Sequence, residues 1–440
     1  MQPARVFRSW SSALVLSGLV VFSARVHADF VYARLVPGTG MQPNGASTDV
    51  AVSSSGRTVV FSTSANNWVD GDTYNGDRVV AVDLDTGTVE VVSATAQGVI
   101  MRGEAPAVSA DGRYVAFLTY GSPLGPNWQV ARKDRRTGEL VLASANAAGQ
   151  AAVSGTGDDT VSISADGRYV AFDTAATNFG LPSGSSNEIF VKDMVTGQVK
   201  MASVKSDGGT GGQCTLAPHA LSDDGRYLAF VCGSAVLPGA GSGQVYVRDL
   251  FQNGTELVSR AGSSGAPATS FSYRPAISPD GRYVTFQSRC YGGLGYAGAD
   301  CTSNSGLYLR DRLAQATLAI PRPAAIAANG YDSCTTSAVS SLATVLLACP
   351  LAAGPVSYSQ VFLHVPGAGA PSLLSTNAGS QPGNEASGAS LAVNGSGLSM
   401  VFESRASDID PDDTNDASDV FILVDETMLS EVIFANGFER

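Results

Sequence analysis

The stretch SISADGRYVAFDT, Ser162–Thr174, decides the fold because the chain repeats it with small changes. VSADGRYVAFLT (Val108–Thr119), LSDDGRYLAFVC (Leu221–Cys232) and ISPDGRYVTFQS (Ile277–Ser288) carry the same phrase. Anchoring on the closing aromatic gives Phe61, Phe117, Phe172, Phe230, Phe286 and Phe402, at steps of 56, 55, 58 and 56 residues and then 116, which is two periods. The missing copy is VSSLATVLLACP (Val339–Pro350), where Leu347 takes the anchor place and the Asp-Gly pair is gone. A fixed period of this kind is the mark of a repeat architecture.

Each unit reads as strands. Alternating apolar residues on both sides of Asp-Gly are a strong hairpin signal, and stretches such as EIFVKDMVTGQVKMAS (Glu188–Ser203) add a second strand–turn–strand pair. Four strands per unit, seven times over, predict an all-β fold, a single seven-bladed β-propeller over residues 29–440. The segment FVYARLVPGTGMQPNG (Phe30–Gly45) resembles the fourth strand and following loop of a unit, so it is expected to complete the last blade and close the ring. The tail LSEVIFANGFER (Leu429–Arg440) competes for that slot. Asp111, Asp166, Asp224 and Asp280 look like a repeated acidic motif, but Asp before Gly is what a tight turn asks for, and they are read as turn residues.

SADGRYVAF (Ser164–Phe172) followed by EIFVKDMVTGQV (Glu188–Val199) resembles the WD-like propeller repeats of the TolB-like family of exported bacterial proteins. The resemblance covers essentially residues 30–425 and implies a propeller outside the cytoplasm. TolB itself has a six-bladed propeller behind a separate N-terminal α/β domain. This chain has seven units and no room for that domain, so the resemblance does not carry the Tol–Pal role with it.

The first residues read as a targeting segment: Arg5 and Arg8, an apolar core Ser12–Phe22, and small side chains at Val26-His27-Ala28. Cleavage after Ala28 and export to the periplasm or beyond are expected, with no membrane insertion, since the apolar run is shorter than the ~20 residues of a spanning helix. Without Arg5, Arg8 and Arg25 the chain keeps 24 Lys and Arg against 39 Asp and Glu, a net charge of −15. That excludes nucleic acid as a natural partner, because phosphate neutralisation needs a basic surface.

A unit near 56 residues exceeds the ~40–45 of a minimal WD-type blade. The excess lies in the connections from second to third strand and between blades, which emerge on one face of the ring; the Asp-Gly and Thr-Gly turns emerge on the other. The long-loop face is therefore the expected functional surface. Six cysteines in an exported chain imply disulfides. Of fifteen connectivities, the sequential one (Cys214–Cys232, Cys290–Cys301, Cys334–Cys349) keeps every pair local. Stabilisation is its expected role.

DIDPDDTNDASD (Asp408–Asp419) offers Asp408, Asp410, Asp412 and Asp416 at a spacing that can gather oxygens on calcium, the one cofactor the sequence suggests. Asp413 stands where the sharp turn usually needs glycine, and the other reading is a solvated acidic loop. Trp68 and Trp128 sit in long loops, where they either stack on a partner or cover what lies beneath. There is no G-x-S-x-G elbow. Two histidines, His219 and His364, remain after the leader, both in strand segments, which disfavours lyases built on a histidine metal cluster. The main expectation is a non-catalytic platform binding a protein or glycan through the long-loop face. The alternative is a polysaccharide-acting enzyme, glycosidase or lyase, using loop carboxylates as acid and base. An enzyme should show carboxylates around the central channel with at least one raised pKa.

Overall fold

The computed structural model describes residues 14–16, 19–25, 30–37 and 40–425, apart from 122, 158–159, 263–264, 290–292, 295–304, 324–333, 335 and 354–355. Seven antiparallel sheets form the seven blades. Blade one is typical: Ser47–Val52 on the channel, then Thr58–Thr63, Arg78–Asp83 and Val89–Val91 outward. Blade seven takes Ser387–Val393, Ser399–Ser404 and Asp419–Asp425 from the end of the chain and Phe30–Leu35 from its start, so an N-terminal strand closes the ring as expected. Two further strands, Leu14–Leu16 and Leu19–Arg25, extend that sheet outward. The competing tail lies outside the described residues.

The repeated phrase is legible in physical terms. Its aromatic anchors are all fully buried, as is Leu347 in the decayed copy, each stabilising its blade by about 1.5–3 kcal/mol. In the turn, Ser164 Oγ donates to Asp166 Oδ1, which also accepts the Arg168 backbone N–H at 2.9 Å. Arg168 then reaches the end of the third strand and grips both oxygens of Asp193 at 3.0 and 2.7 Å, its guanidinium lying over the Tyr169 ring. Arg113–Asp134 and Arg282–Asp311 repeat that bidentate grip, while Arg226 puts both bonds on one oxygen of Asp249. The aspartates of the motif are structural, as expected.

The glycine serves the neighbouring blade. Gly167 has φ +71°, and a Cβ there would stand 2.2 Å from the Tyr114 ring of blade two. Gly225 meets Tyr169 at the same distance, and Gly281 meets Tyr227 at 2.5 Å. Asp-Gly-Arg-Tyr thus closes a turn, ties two strands and seats one blade on the next.

A belt of hydrogen bonds runs round the channel at the short-turn face. Ser55 N–H donates to Ala110 O, Ala110 to Ala165, Ala165 to Asp223 and Asp223 to Pro279, at 2.7–3.0 Å. Asp280 N–H to Ser341 Oγ, Ser341 N–H to Gly395 O and Asn394 Nδ2 to Ser54 O complete the circle. Ser54 Oγ also donates to both oxygens of Asp223, three blades away, at 3.2 and 3.0 Å. The channel is cinched at this end, and its wide mouth opens on the long-loop face.

Candidate functional site at the channel mouth

The innermost strands carry the mouth. Those of blades one, two, five and seven each break register, between Thr48 and Ala51, Glu104 and Ala107, Tyr273 and Ala276, and Ser387 and Leu391. Such bulges re-aim side chains and gather near active sites. Inside three of them stand non-glycine residues with left-handed backbone, Asp49 (φ 52°), Ala105 (φ 48°) and Arg274 (φ 51°); His219 of blade four has φ 58°. Each such residue stores about 1–3 kcal/mol of strain, which persists where the surroundings over-determine it.

These residues surround a cavity of about 350 Å³ at the mouth, lined by Asp49, Ala105, Thr160, Pro218, Arg274 and Ser390 among others. A narrower space of about 80 Å³ continues below, reaching His219 and Asp223. Glu403, near the end of the second strand of blade seven, is buried beside the mouth. Its Oε2 accepts the Asp49 backbone N–H at 3.2 Å and the Ser390 hydroxyl at 3.0 Å, while Ser390 Oγ accepts the Val50 N–H at 3.0 Å. Burial pushes the Glu403 carboxyl up to about 7, with the Asp49 carboxylate adding to the rise against the hydrogen bond from Ser390. A carboxylic acid holding its proton near neutral pH is a general acid in waiting. Glu104, at the rim of blade two, is raised chiefly by burial, with Arg102 opposing.

His219 lies deeper. Its Nε2 is 3.1 Å from the carbonyl oxygen of Leu391 on blade seven, so this nitrogen carries the proton and Nδ1 keeps its lone pair. Burial lowers the ring's pKa, so the imidazole is neutral at pH 7.

The residues expected to form sites fare differently. Trp68 is a correction: it is 3% exposed and packs edge-on against Phe61 at 4.8 Å, in the core beneath the loops rather than on a binding face. Trp128 is half-buried at the start of the third strand of blade two, on the long-loop face. The Cys214–Cys232 and Cys334–Cys349 disulfides are present; the first joins the first and second strands of blade four, and the second ties the residue just ahead of the first strand of blade six to its second strand. Cys290 and Cys301 lie outside the described residues.

The acidic loop is organised around a guanidinium rather than gathered on a cation. Arg34, from the ring-closing strand, is buried and pairs with Asp410, with Asp419 at 2.9 Å and with Asp413 at 3.4 Å. Asp408 instead accepts from Asn377 Nδ2 and the Asn384 N–H. Asp410 is therefore the only one of Asp408, Asp410, Asp412 and Asp416 that faces Arg34, and among the described residues no three His, Cys, Asp or Glu side chains are placed to hold a metal. Asp410, Asp413 and Asp419 thus have a countercharge within the chain.

No family model matches the chain, and no protein of curated function does. Solved structures do match. An oligogalacturonate lyase in complex with manganese shares 11% identity at a TM-score of 0.56, covering 92% of this chain and 96% of its own. The oligogalacturonate lyase of Vibrio parahaemolyticus shares 11% at 0.57, covering 94% and 98%. TolB-like propellers are also similar; TolB from Acinetobacter baumannii shares 16% at 0.38, covering 68% and 62%. The first of these lyases carries manganese, but His219 is the sole described histidine at this channel and no ligand trio accompanies it, so the residues here do not fit a resident divalent ion. The expectation of a non-catalytic platform is corrected: the lyases that match along nearly their whole length and the raised carboxyl at the mouth stand against it.

Proposed function

We propose that the protein is an enzyme that cleaves glycosidic bonds of a polysaccharide at the long-loop mouth of the ring, with Glu403 as proton donor. The single observation that carries this is a buried carboxyl raised to about 7, directly behind Asp49 and Ser390 in the wall of a cavity large enough for a sugar ring. Asp49 therefore comes from an inner strand and Glu403 from the second strand of its blade, where the loops were the expected source. Arg274 stands at the same mouth, and a guanidinium there suits a substrate carboxylate. Uronate-containing chains, the substrates named for the lyases of similar fold, are the first class to test, and elimination is the first route. In that route Asp49 takes the proton from the carbon bearing the uronate carboxylate, the released electron pair forms a C=C bond to the neighbouring carbon as that carbon's bond to the leaving oxygen breaks, and Glu403 passes its proton to that oxygen. Leader removal after Ala28 and export accord with the two disulfides, which persist in oxidising compartments.

The test is to offer the purified protein polygalacturonate, its oligomers and neutral glycans, following ultraviolet absorbance of unsaturated ends together with new reducing ends. Absorbance and reducing ends rising together mark elimination; reducing ends alone mark hydrolysis. Glu403→Gln is expected to lower the rate by about 10²-fold or more. No product from any glycan, or full activity in Glu403→Gln, would end this reading.

A further inference from the structure

We infer that a sugar-binding subsite runs outward from the mouth over blade two, taking a pyranose ring of the same glycan chain on the Tyr120–Trp128–Arg102 group. The inference rests on the reading of the mouth as a glycan-cleaving site.

The group is continuous with the mouth. Glu104 begins the inner strand of blade two one residue before Ala105 of the cavity wall, and its carboxyl is within electrostatic reach of Asp49. Arg102 bonds Glu104 Oε1 through Nε at 2.7 Å and stands 3.6 Å from Asp77. The same guanidinium lies 4.9 Å from the centre of the Trp128 ring. Tyr120, paired with Trp128 across the strands, follows at 5.6 Å between ring centres, tilted by 57°. The row thus leads from Glu104, next to the cavity wall, to an aromatic ring further out on the blade.

Its exposure is unlike that of the anchor aromatics. Tyr120 is 51% exposed, whereas the anchor rings are fully buried. The side chains of Arg102 and Asp77 are 45% and 43% exposed. An open aromatic ring beside an accessible donor and an accessible acceptor is the chemistry that takes a sugar: its C–H face lies on the ring and its hydroxyls reach the charged pair. One guanidinium stands between two carboxylates, Asp77 and Glu104, so the subsite has no surplus positive charge. It is suited to the ring face and hydroxyls of a sugar and gives nothing extra to a carboxylate.

The test uses full-length Glu403→Gln protein, so that turnover does not deplete the ligand. Calorimetric titration compares digalacturonate, hexagalacturonate and the methyl ester of the hexamer. The hexamer and its ester are expected to bind about tenfold more tightly than the dimer, and Tyr120→Ala and Trp128→Leu are each expected to remove most of that advantage while leaving dimer affinity unchanged. If Trp128→Leu fails to fold, Tyr120→Ala alone decides the outcome, because Tyr120 is already half in solvent. Equal affinities for dimer and hexamer, a hexamer advantage that survives both variants, or binding of the free acid without its ester each overturn the subsite, as does no binding at all. A Glu403→Gln protein that still cleaves would refute the proton donor, and titration on ice would still read the subsite.

Discussion

Replacing Arg34 by Met tests the ring closure. Arg34 is 3% exposed and is the countercharge to Asp410, Asp413 and Asp419, side chains exposed by 1% or less. Taking one partner from a buried ion pair costs about 3–5 kcal/mol, because the remaining charge stays unpaired in a poorly polarisable interior. Here three carboxyls are left, with escape open through protonation. Burial already raises all three, Asp419 to about 6. A carboxyl whose folded pKa lies above its unfolded value stabilises the fold at low pH, and that contribution disappears as pH rises through the folded pKa. Without Arg34 these pKa values climb further, so the variant's deficit grows with pH: close to the full ~3–5 kcal/mol at pH 8 and clearly smaller at pH 5. Urea unfolding of Arg34→Met and the parent at both pH values measures it. A deficit under about 1 kcal/mol at pH 8, or one equal at pH 5 and pH 8, would refute the reasoning.

Four further outcomes are expected. If Glu403 is the proton donor, kcat for the best glycan falls as pH rises through about 7, because only its protonated form acts; a rate flat from pH 6 to 8 would remove it from that role. Gly225→Ala should lower stability by well over the ~1 kcal/mol of a left-handed strain alone, since its Cβ would sit 2.2 Å from the Tyr169 ring, whereas Gly138→Ala, with open space around it, should show only the strain; thermal unfolding compares the two. Cys334→Ala paired with Cys349→Ala should cost about 3 kcal/mol for a sequence separation of 15, read by urea unfolding. Non-reducing peptide mapping is expected to find Cys290 and Cys301 in one linked pair, and free thiols at both would dismiss that bridge.

The fold was legible because its determinants are local and repeated. Ser, Asp, Gly, Arg and Tyr at fixed offsets make one turn, one grip and one inter-blade contact, and each copy confirms the others. Closure by Phe30–Leu35 was readable for the same reason, as a fourth strand lacking its first three. Trp68 breaks the expectation because a long connection need not be an exposed one; the ring folds back on Phe61 and covers its own blade. The ion pairs of the acidic loop were not legible because their partner, Arg34, lies more than 370 residues away in sequence and meets the loop only when the ring closes.

The mouth was hidden for a different reason, and the reason locates it. Counting back four positions from the serine or asparagine that opens each short turn gives Asp49 before Ser53, Ala105 before Ser109, Thr160 before Ser164, Pro218 before Ser222, Arg274 before Ser278, Thr336 before Ser340 and Ser390 before Asn394. One position of the repeat is thus filled by a carboxylate, a methyl, three hydroxyls, a proline ring and a guanidinium. The two apolar or small positions just before the turn keep their character because packing demands it; at this position packing demands less, since Asp49, Ala105, Thr160, Pro218, Arg274 and Ser390 line the channel. In a ring built from copies, the scaffold lies where the copies agree and chemistry can differ only where they do not. Repeated acidic residues therefore point to the turns, where Asp111 and Asp166 are structural. The residues that set Glu403 apart, Asp49 and Ser390, stand in a column that settles on no single side chain.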